Sequence, residues 1–396
     1  MWIQREIVPS IVTAARQFPA VVVTGPRQVG KTTLLQRDFP TLGYVSLDLP
    51  TTAAMADTRP ETFLELHPPP LLVDEVQYAP HLFRHLKAWI DAHADQRGVF
   101  LLTGSQTFAL MEKVSESLAG RAAVFSLLGL SGREWAAATK PSEASAWREF
   151  LWRGSFPGLW AGGEPVDRDR WYQSYLATYL ERDVRSAIRT SSLRDFDRFL
   201  RACAARTGQL LNLSELGRDV GISGTTARAW LSVLQASNLV TLLEPYHRSL
   251  GKRLVKSPKL YFTDTGLASF LLGFSSPNTL WSSQAAGALW ETYVVSQWLR
   301  WRDWQSPSSS LWFWLDRNHN EVDLLIERDG LLHPIECKLT ESPNAADTRG
   351  VQALRAFFGE QAIANATIAS PTLATYAMGD VAVRPGWESW SLDRTA

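Results

Sequence analysis

Residues 21–33 read Val-Val-Val-Thr-Gly-Pro-Arg-Gln-Val-Gly-Lys-Thr-Thr, an apolar run leading straight into the spacing Gly25-x-x-x-x-Gly30-Lys31-Thr32. Such a pattern suits a polyphosphate. Glycines let successive backbone N–H groups curl around an anion, and a helix starting near Lys31 aims the positive end of its dipole at the same place. Gly25, Pro26, Arg27, Gln28, Val29, Gly30, Lys31, Thr32 and Thr33 are therefore expected to cradle ATP. Lys31 would reach the β/γ-phosphates, and the Thr32 hydroxyl would ligate Mg²⁺. A tight turn between strand and helix is the plainer alternative; the apolar run before the loop and the amphipathic stretch 33–37 after it favour the nucleotide site.

Two carboxylates fit the same chemistry. The run Leu71-Leu72-Val73 ends in Asp74-Glu75, and an acid at the tip of a buried strand is costly unless it has a partner. Asp74 suits the acid that supports Mg²⁺ through water, and Glu75 suits the base that polarises the attacking water; a surface acid pair after a strand is the other reading. Leu101-Leu102 runs into Thr103-Gly104-Ser105. If this strand lies between the loop strand and the Asp74 strand, Thr103 or Ser105 could sense the γ-phosphate, and the sequence does not choose between them. Arg121 opens a fifth apolar run, from which it could reach a nucleotide in its own chain or a neighbour's, or sit on a solvated turn.

A second set of acids lies further on. Asp329-Gly330 is a two-residue hairpin signal between the runs 321–326 and 331–338. Pairing outward from Arg328 opposite Leu331 puts Asp323 across from Glu336, with Cβ atoms about 5 Å apart, and Lys338 on the same face. Facing carboxylates repel unless a cation separates them. The expectation is a second Mg²⁺ site held by Asp323, Glu336 and Glu291, the last from the preceding amphipathic helix, with Lys338 orienting a water nucleophile. The competing reading is a salt-bridged sheet face in which Lys338 neutralises the acids.

Positioning these groups demands particular elements. Apolar runs at 20–24, 44–47, 71–74, 99–103 and 123–128 alternate with helical patterns such as 81–93, which predicts an α/β domain with a parallel sheet over residues 1–140. A polar break at 141–145 reads as a linker. Stretches 196–206, 213–220 and 224–237 read as amphipathic helices, the last two joined by a Gly turn with a Ser cap, the mark of a helix-turn-helix. Strands at 239–243 and 260–262 flank a loop carrying Arg248, Lys252, Arg253, Lys256 and Lys259, so residues 141–275 read as a Trp-rich helical segment plus a winged helix. On DNA, Thr225, Thr226 and Arg228 would enter a groove and the loop cations would meet phosphates; as a lid or docking arm the same fold needs no DNA. Arg182 reads as part of an interdomain ion-pair network ahead of a nucleotide sensor. Residues 276–396 make the third unit.

The strings GPRQVGKTTLL, LLVDEVQ, LLTGSQ and SLAGR, with Tyr179–Asp183, Lys259–Leu267, Glu321–Asp323 and Ile335–Lys338, resemble prokaryotic AAA-type ATPases that carry a C-terminal DUF4143 domain, over nearly the whole chain. The resemblance implies a Mg-ATP-binding core and leaves the cellular role open. Within it, a helix Glu, then Asp, then Glu-x-Lys resembles the PD-(D/E)xK nuclease-like, restriction-endonuclease-like α/β fold.

Of the 396 residues, 45% are hydrophobic and 20% charged, as in ordinary globular chains. Net charge is zero, so nucleic-acid contact requires a local basic patch. The 17 tryptophans read as core and interface anchors. Two distant cysteines suit a reducing cytoplasm and make no zinc site. No leader or membrane span is expected. The combined expectation is a cytoplasmic ATPase acting on nucleic acid, DNA first, with cleavage and assembly into a homo-oligomer both left open. The alternative is an ATP-driven switch or protein-remodelling ATPase whose C-terminal domain binds without cutting.

Overall fold

The computed structural model describes residues 2–105, 110, 113–114, 116–162, 166–179, 193–247 and 257–392; Arg182, Arg248, Lys252, Arg253 and Lys256 lie outside them. Strand β1 (Ala20–Thr24) is apolar up to Thr24 and buried along its whole length. The helix that follows the phosphate-type loop is α1 (Lys31–Asp38). With β2 (Gly43–Ser46), β3 (Leu71–Asp74), β4 (Phe100–Gly104) and β5 (Ala122–Ser126), β1 forms a parallel sheet of order β2-β3-β4-β1-β5. Strand β4 thus separates β1 from β3. Because all five strands run one way, Gly25, Asp74, Glu75, Thr103 and Ser105 converge at one edge, where parallel sheets place their ligands.

Helix α2 (Gly132–Thr139) follows, opened by a capping box between Ser131 and Glu134. It ends on Lys140 at φ 52°, and another helix begins at Ala144, so the break at 141–145 is a short turn between helices. Next come α3 (Arg168–Tyr179) and α4 (Leu193–Ala204). Strand β6 (Gln209–Leu210) leads to α5 (Leu213–Val220) and α6 (Gly224–Ala236). Gly221, at φ 82°, turns the chain between these two helices, and the Ser223 side chain accepts the Thr226 N–H. Strands β7 (Val240–Leu243) and β8 (Lys259–Phe262) complete an antiparallel sheet of order β6-β8-β7.

The last unit starts with α7 (Ala286–Gln305), 20 residues long and buried on most sides, including Trp290, Tyr293, Trp298 and Arg300. Strands β9 (Ser310–Leu315), β10 (Glu321–Arg328) and β11 (Leu331–Cys337) form an antiparallel meander. Asp329 and Gly330 take φ of 52° and 77°, and the register from Arg328↔Leu331 to Leu324↔Ile335 is that of a two-residue loop. Helix α8 (Arg349–Phe358) crosses over to β12 (Ala366–Ser370), parallel to β11; β13 (Tyr376–Met378) and β14 (Val381–Pro385) finish the sheet.

One hydrophobic cluster runs from Ile3 to Trp387 and draws on all three segments. Trp135 stacks on Phe150, Trp147 on Trp387, and Trp290 meets Trp387 edge-on. At its centre, buried Arg300 donates to the carbonyls of Gly129 (3.0 Å), Ser296 (2.7 Å) and Thr263 (3.3 Å) and to Ser155 Oγ (3.0 Å). Burial lowers its pKa to about 10, which leaves it charged at neutral pH. Among the described residues no helix is long and apolar enough to cross a membrane.

Candidate functional site

The loop between β1 and α1 has the backbone its sequence demands. Gly25 sits at φ 141°, where a Cβ would run into the Leu127 carbonyl. Gly30 sits at φ 90°, and a Cβ there would meet nothing within 4 Å, so the loop opens on space. Lys31 turns its ammonium back into that space and donates to the Gly25 and Pro26 carbonyls, both at 2.9 Å. A positive charge therefore lies within the curve of the loop.

Opposite the loop, Asp74 Oδ1 accepts a hydrogen bond from Thr32 Oγ1 at 2.6 Å and another from Thr103 Oγ1. Thr103 in turn accepts the Glu75 N–H at 3.2 Å. Glu75 itself holds a left-handed backbone at φ 55°, an unusual conformation for a non-glycine residue. Its Oε2 accepts from Ser105 Oγ at 3.0 Å and from Gln77. The two candidate sensors are thus both engaged with carboxylates: Thr103 braces Asp74, and Ser105 braces Glu75. The Thr32–Asp74 pair and the open loop fit a hydrated Mg²⁺ and its phosphates.

A cavity of about 580 Å³ lies over these groups, lined by Arg27, Lys31, Thr32 and Glu75 and, from α3, by Tyr175 and Thr178. A second recess of about 370 Å³ adjoins it past Gln28, Gly30 and Thr33 and is walled by Trp2, Ile3, Val29, Leu130 and Pro157, a mainly apolar lining suited to a flat base. Arg5 fixes its floor: the buried guanidinium donates to the Val29 carbonyl (2.9 Å), the Leu128 carbonyl (2.7 Å) and Glu134 Oε2 (3.0 Å).

Arg121 is placed elsewhere. Its carbonyl accepts the Ala20 N–H at the start of β1, and its guanidinium clamps Asp91 at 2.6 and 3.1 Å. A five-residue strand separates that edge from the phosphate loop by about 16 Å. Contact with the nucleotide of its own chain, one of the two reaches expected, is therefore corrected: parallel strands carry the start of β5 to the opposite edge.

The C-terminal acids do gather, with Lys259 joining Lys338 among them. Glu291 Oε1 accepts from Lys259 Nζ (2.8 Å) and Tyr261 OH (2.5 Å), both from β8. Lys259 also pairs with Glu321. Lys338 lies 3.0 Å from Glu336 Oε2 and 3.9 Å from Asp323 Oδ2, and Asp323 accepts the Cys337 N–H at 2.7 Å. Helix α8 closes over the cluster so tightly that a Cβ on Gly350 would strike Glu336 Oε1. Burial and the facing Asp323 push Glu336 well above the usual carboxylate range. Burial, then Asp323, raises Glu291 to about 7 despite Lys259 and Tyr261. Burial opposes the charge on Lys259, yet Glu291, Asp323 and Glu321 together hold its pKa above the ordinary lysine value.

Among the described residues no group of three or more His, Cys, Asp or Glu side chains is arranged to hold a metal ion. Glu291, Asp323 and Glu336, the expected Mg²⁺ set, are brought together around Lys259 and Lys338, which supply positive charge to the facing acids. Lys259, expected on a solvated wing, is 5% exposed and belongs to this cluster.

A pH test follows. Glu291 binds its proton more tightly folded than unfolded, so the native state loses stability as pH rises from about 4.5 to about 7. Denaturation of Glu291→Gln and the parent across pH 5 to 8 should show a weaker decline in the variant. Parallel curves would contradict the assignment.

Two mycobacterial proteins, uncharacterized protein Rv2008c of Mycobacterium tuberculosis and Mb2031c of Mycobacterium bovis, are each 31% identical over 345 residues, covering 86% of this chain and 75% of theirs. Residues 17–136 match the AAA domain family AAA_14, and residues 286–387 match DUF4143, a domain of unknown function. The chain belongs to the family of these two mycobacterial proteins and carries an AAA_14 domain followed by a DUF4143 domain. Residues 144–278 match a further domain of unknown function, DUF8612. Among solved structures, the Walker-type ATPase PABY2304 of Pyrococcus abyssi aligns over 68% of this chain and 96% of its own at TM-score 0.46 and 15% identity. The RuvB Holliday junction branch migration motor of Thermotoga maritima aligns over 60% and 89% at TM-score 0.27 and 15% identity. Both likenesses are too distant to carry an argument.

In this AAA–DUF4143 chain the Lys259–Glu291 ion pair joins the DUF8612 match to the DUF4143 match. Alternation along β8 puts Lys259 and Tyr261 on one face but gives no signal that they meet Glu291. Tyr175 and Thr178 of the cavity over the phosphate-type loop had no signal either, because their role depends on where α3 packs.

Proposed function

We propose that this chain binds and hydrolyses Mg-ATP and uses the cycle to control nucleic-acid engagement by a winged-helix middle segment and a nuclease-like C-terminal domain. The carrying observation is the open loop around Lys31 facing Asp74 and Glu75 across one cavity. Thr32 and Asp74 would hold Mg²⁺, which when bound draws charge from the β- and γ-phosphates. Lys31 leaves its resting carbonyls for those phosphates, and the loop N–H groups fix the chain of oxygens. Glu75, held by Ser105 and Gln77, takes a proton from water as its oxygen bonds to the γ-phosphorus. The bond from that phosphorus to the bridging oxygen breaks, and ADP leaves with the electron pair.

Support for the winged helix is the order α4, β6, α5, α6, β7, β8 with a Ser-capped turn before α6; Thr225 and Arg228 are exposed on that helix. Support for the nuclease-like fold is α7 followed by a three-stranded meander, a helical crossover and a parallel fourth strand. Lys259 within the acidic cluster, a counter-ion that the Asp, Glu-x-Lys pattern does not call for, favours binding without cutting. Calorimetry should show Mg-ATP uptake by the parent and none by Lys31→Ala. With Mg²⁺ and ATP, linear, circular and single-stranded DNA and RNA should remain intact while one of them speeds ATP turnover. Cleavage lost in Asp323→Ala would overturn the non-cutting reading; turnover indifferent to every nucleic acid would overturn the coupling.

A further inference from the structure

Phosphoryl transfer spreads negative charge over the γ-phosphate oxygens, and a planar guanidinium there is worth a large rate factor. Arg121 cannot supply it within its own chain, being committed to Asp91 at the far edge of the sheet. Among the described residues, the one arginine that lines the cavity over Lys31, Thr32 and Glu75 is Arg27. It stands in the loop itself, immediately after the two carbonyls that Lys31 contacts. The next residue, Gln28, takes φ 64° and turns the backbone there.

The side chain is also held toward the chemistry. Arg27 Nη2 lies 3.5 Å from the Tyr78 hydroxyl. Tyr78 ends the short 3-10 turn Val76–Tyr78 that starts from Glu75. One turn therefore carries the group that takes the proton, the Gln77 that donates to it, and the hydroxyl that Arg27 meets.

We infer that Arg27 is the arginine that stabilises the transition state of hydrolysis, acting within its own chain, so that the chemical step needs no residue from a neighbour. The inference rests on the proposed ATPase activity. As water attacks and the bridging bond breaks, the guanidinium neutralises charge building on the γ-phosphate and bridging oxygens. Tyr78 is a positioning residue.

The test combines turnover, binding and an analogue. Arg27→Lys keeps a cation but loses the planar fork. It should bind Mg-ATP within a few-fold of the parent by calorimetry, while kcat falls about 10³-fold. Its affinity for ADP with aluminium fluoride, which mimics the transferring phosphoryl group, should fall in parallel with kcat. Tyr78→Phe should lower kcat by a smaller factor and leave KM little changed. The parent's turnover per chain should stay constant on dilution through any self-association.

Near-normal turnover by Arg27→Lys and Arg27→Ala would overturn the inference and spare the ATPase. So would parent turnover that vanishes on dilution and is lost in Arg121→Ala. A parent that takes up no Mg-ATP at all would overturn the ATPase reading and this one together.

Discussion

Glu75→Gln should leave a protein that folds and binds Mg-ATP but turns it over about 10²–10⁴-fold more slowly, the usual range for losing a general base. The amide is nearly the same size and can still meet Ser105 and Gln77, which hold the carboxylate. The left-handed backbone at residue 75 and the Thr103 contact to its N–H involve no side-chain charge, so they survive. What disappears is the proton acceptor. Single-turnover hydrolysis with calorimetric ATP binding separates the two steps. Loss of binding alongside turnover would mean that Glu75 belongs to the nucleotide cradle, and unchanged turnover would remove it from the reaction. Because ATP persists on such a variant, it also suits capture of the nucleic acid that the proposed coupling requires.

Lys259→Met should be the most destabilising single change in the C-terminal cluster. Lys259 is buried and pairs with Glu291 and Glu321. Removing one partner of a buried ion pair typically costs about 3–5 kcal/mol, because the remaining charge keeps its desolvation penalty. Tyr261 alone is left to satisfy Glu291 Oε1. The deficit should be large at pH 8 and shrink toward pH 5.5, where Glu291, already raised to about 7 with the lysine present, becomes neutral. Lys259→Met combined with Glu291→Gln should recover part of the loss, a non-additivity expected for partners in contact. Thermal midpoints of the four proteins at two pH values suffice. Equal deficits at both pH values, or strict additivity, would show that Lys259 stabilises through its hydrocarbon stem alone.

The hairpin at Asp329-Gly330 shows how far short-range chemistry reaches. Two residues able to take positive φ dictate the turn, the turn dictates the register, and the register brings Asp323 and Glu336 together. The phosphate loop is similar, since its glycines, lysine and threonine act within a few residues of one another. What answers the acids' repulsion was not legible in the same way. Read from the chain, the neutralising charge is a metal ion or Lys338. In the fold a second lysine joins from β8: Lys259 stands 32 positions before Glu291 and 2.8 Å from its carboxylate. No local pattern couples a strand of the middle segment to a helix of the last one.

By itself the sequence determined the local devices: the phosphate loop, the two acids after the third strand, the hairpin register and the helix caps. Each depends on backbone freedom, side-chain period or hydrogen bonds that operate over a few residues. Tertiary structure alone decided which groups meet across segments. It sent Arg121 to the wrong edge for its own nucleotide, laid Tyr175 and Thr178 over the phosphate loop, and put Lys259 among the C-terminal acids. Those outcomes follow from how one shared hydrophobic core packs the three segments, and packing at long range leaves no periodic mark on the chain.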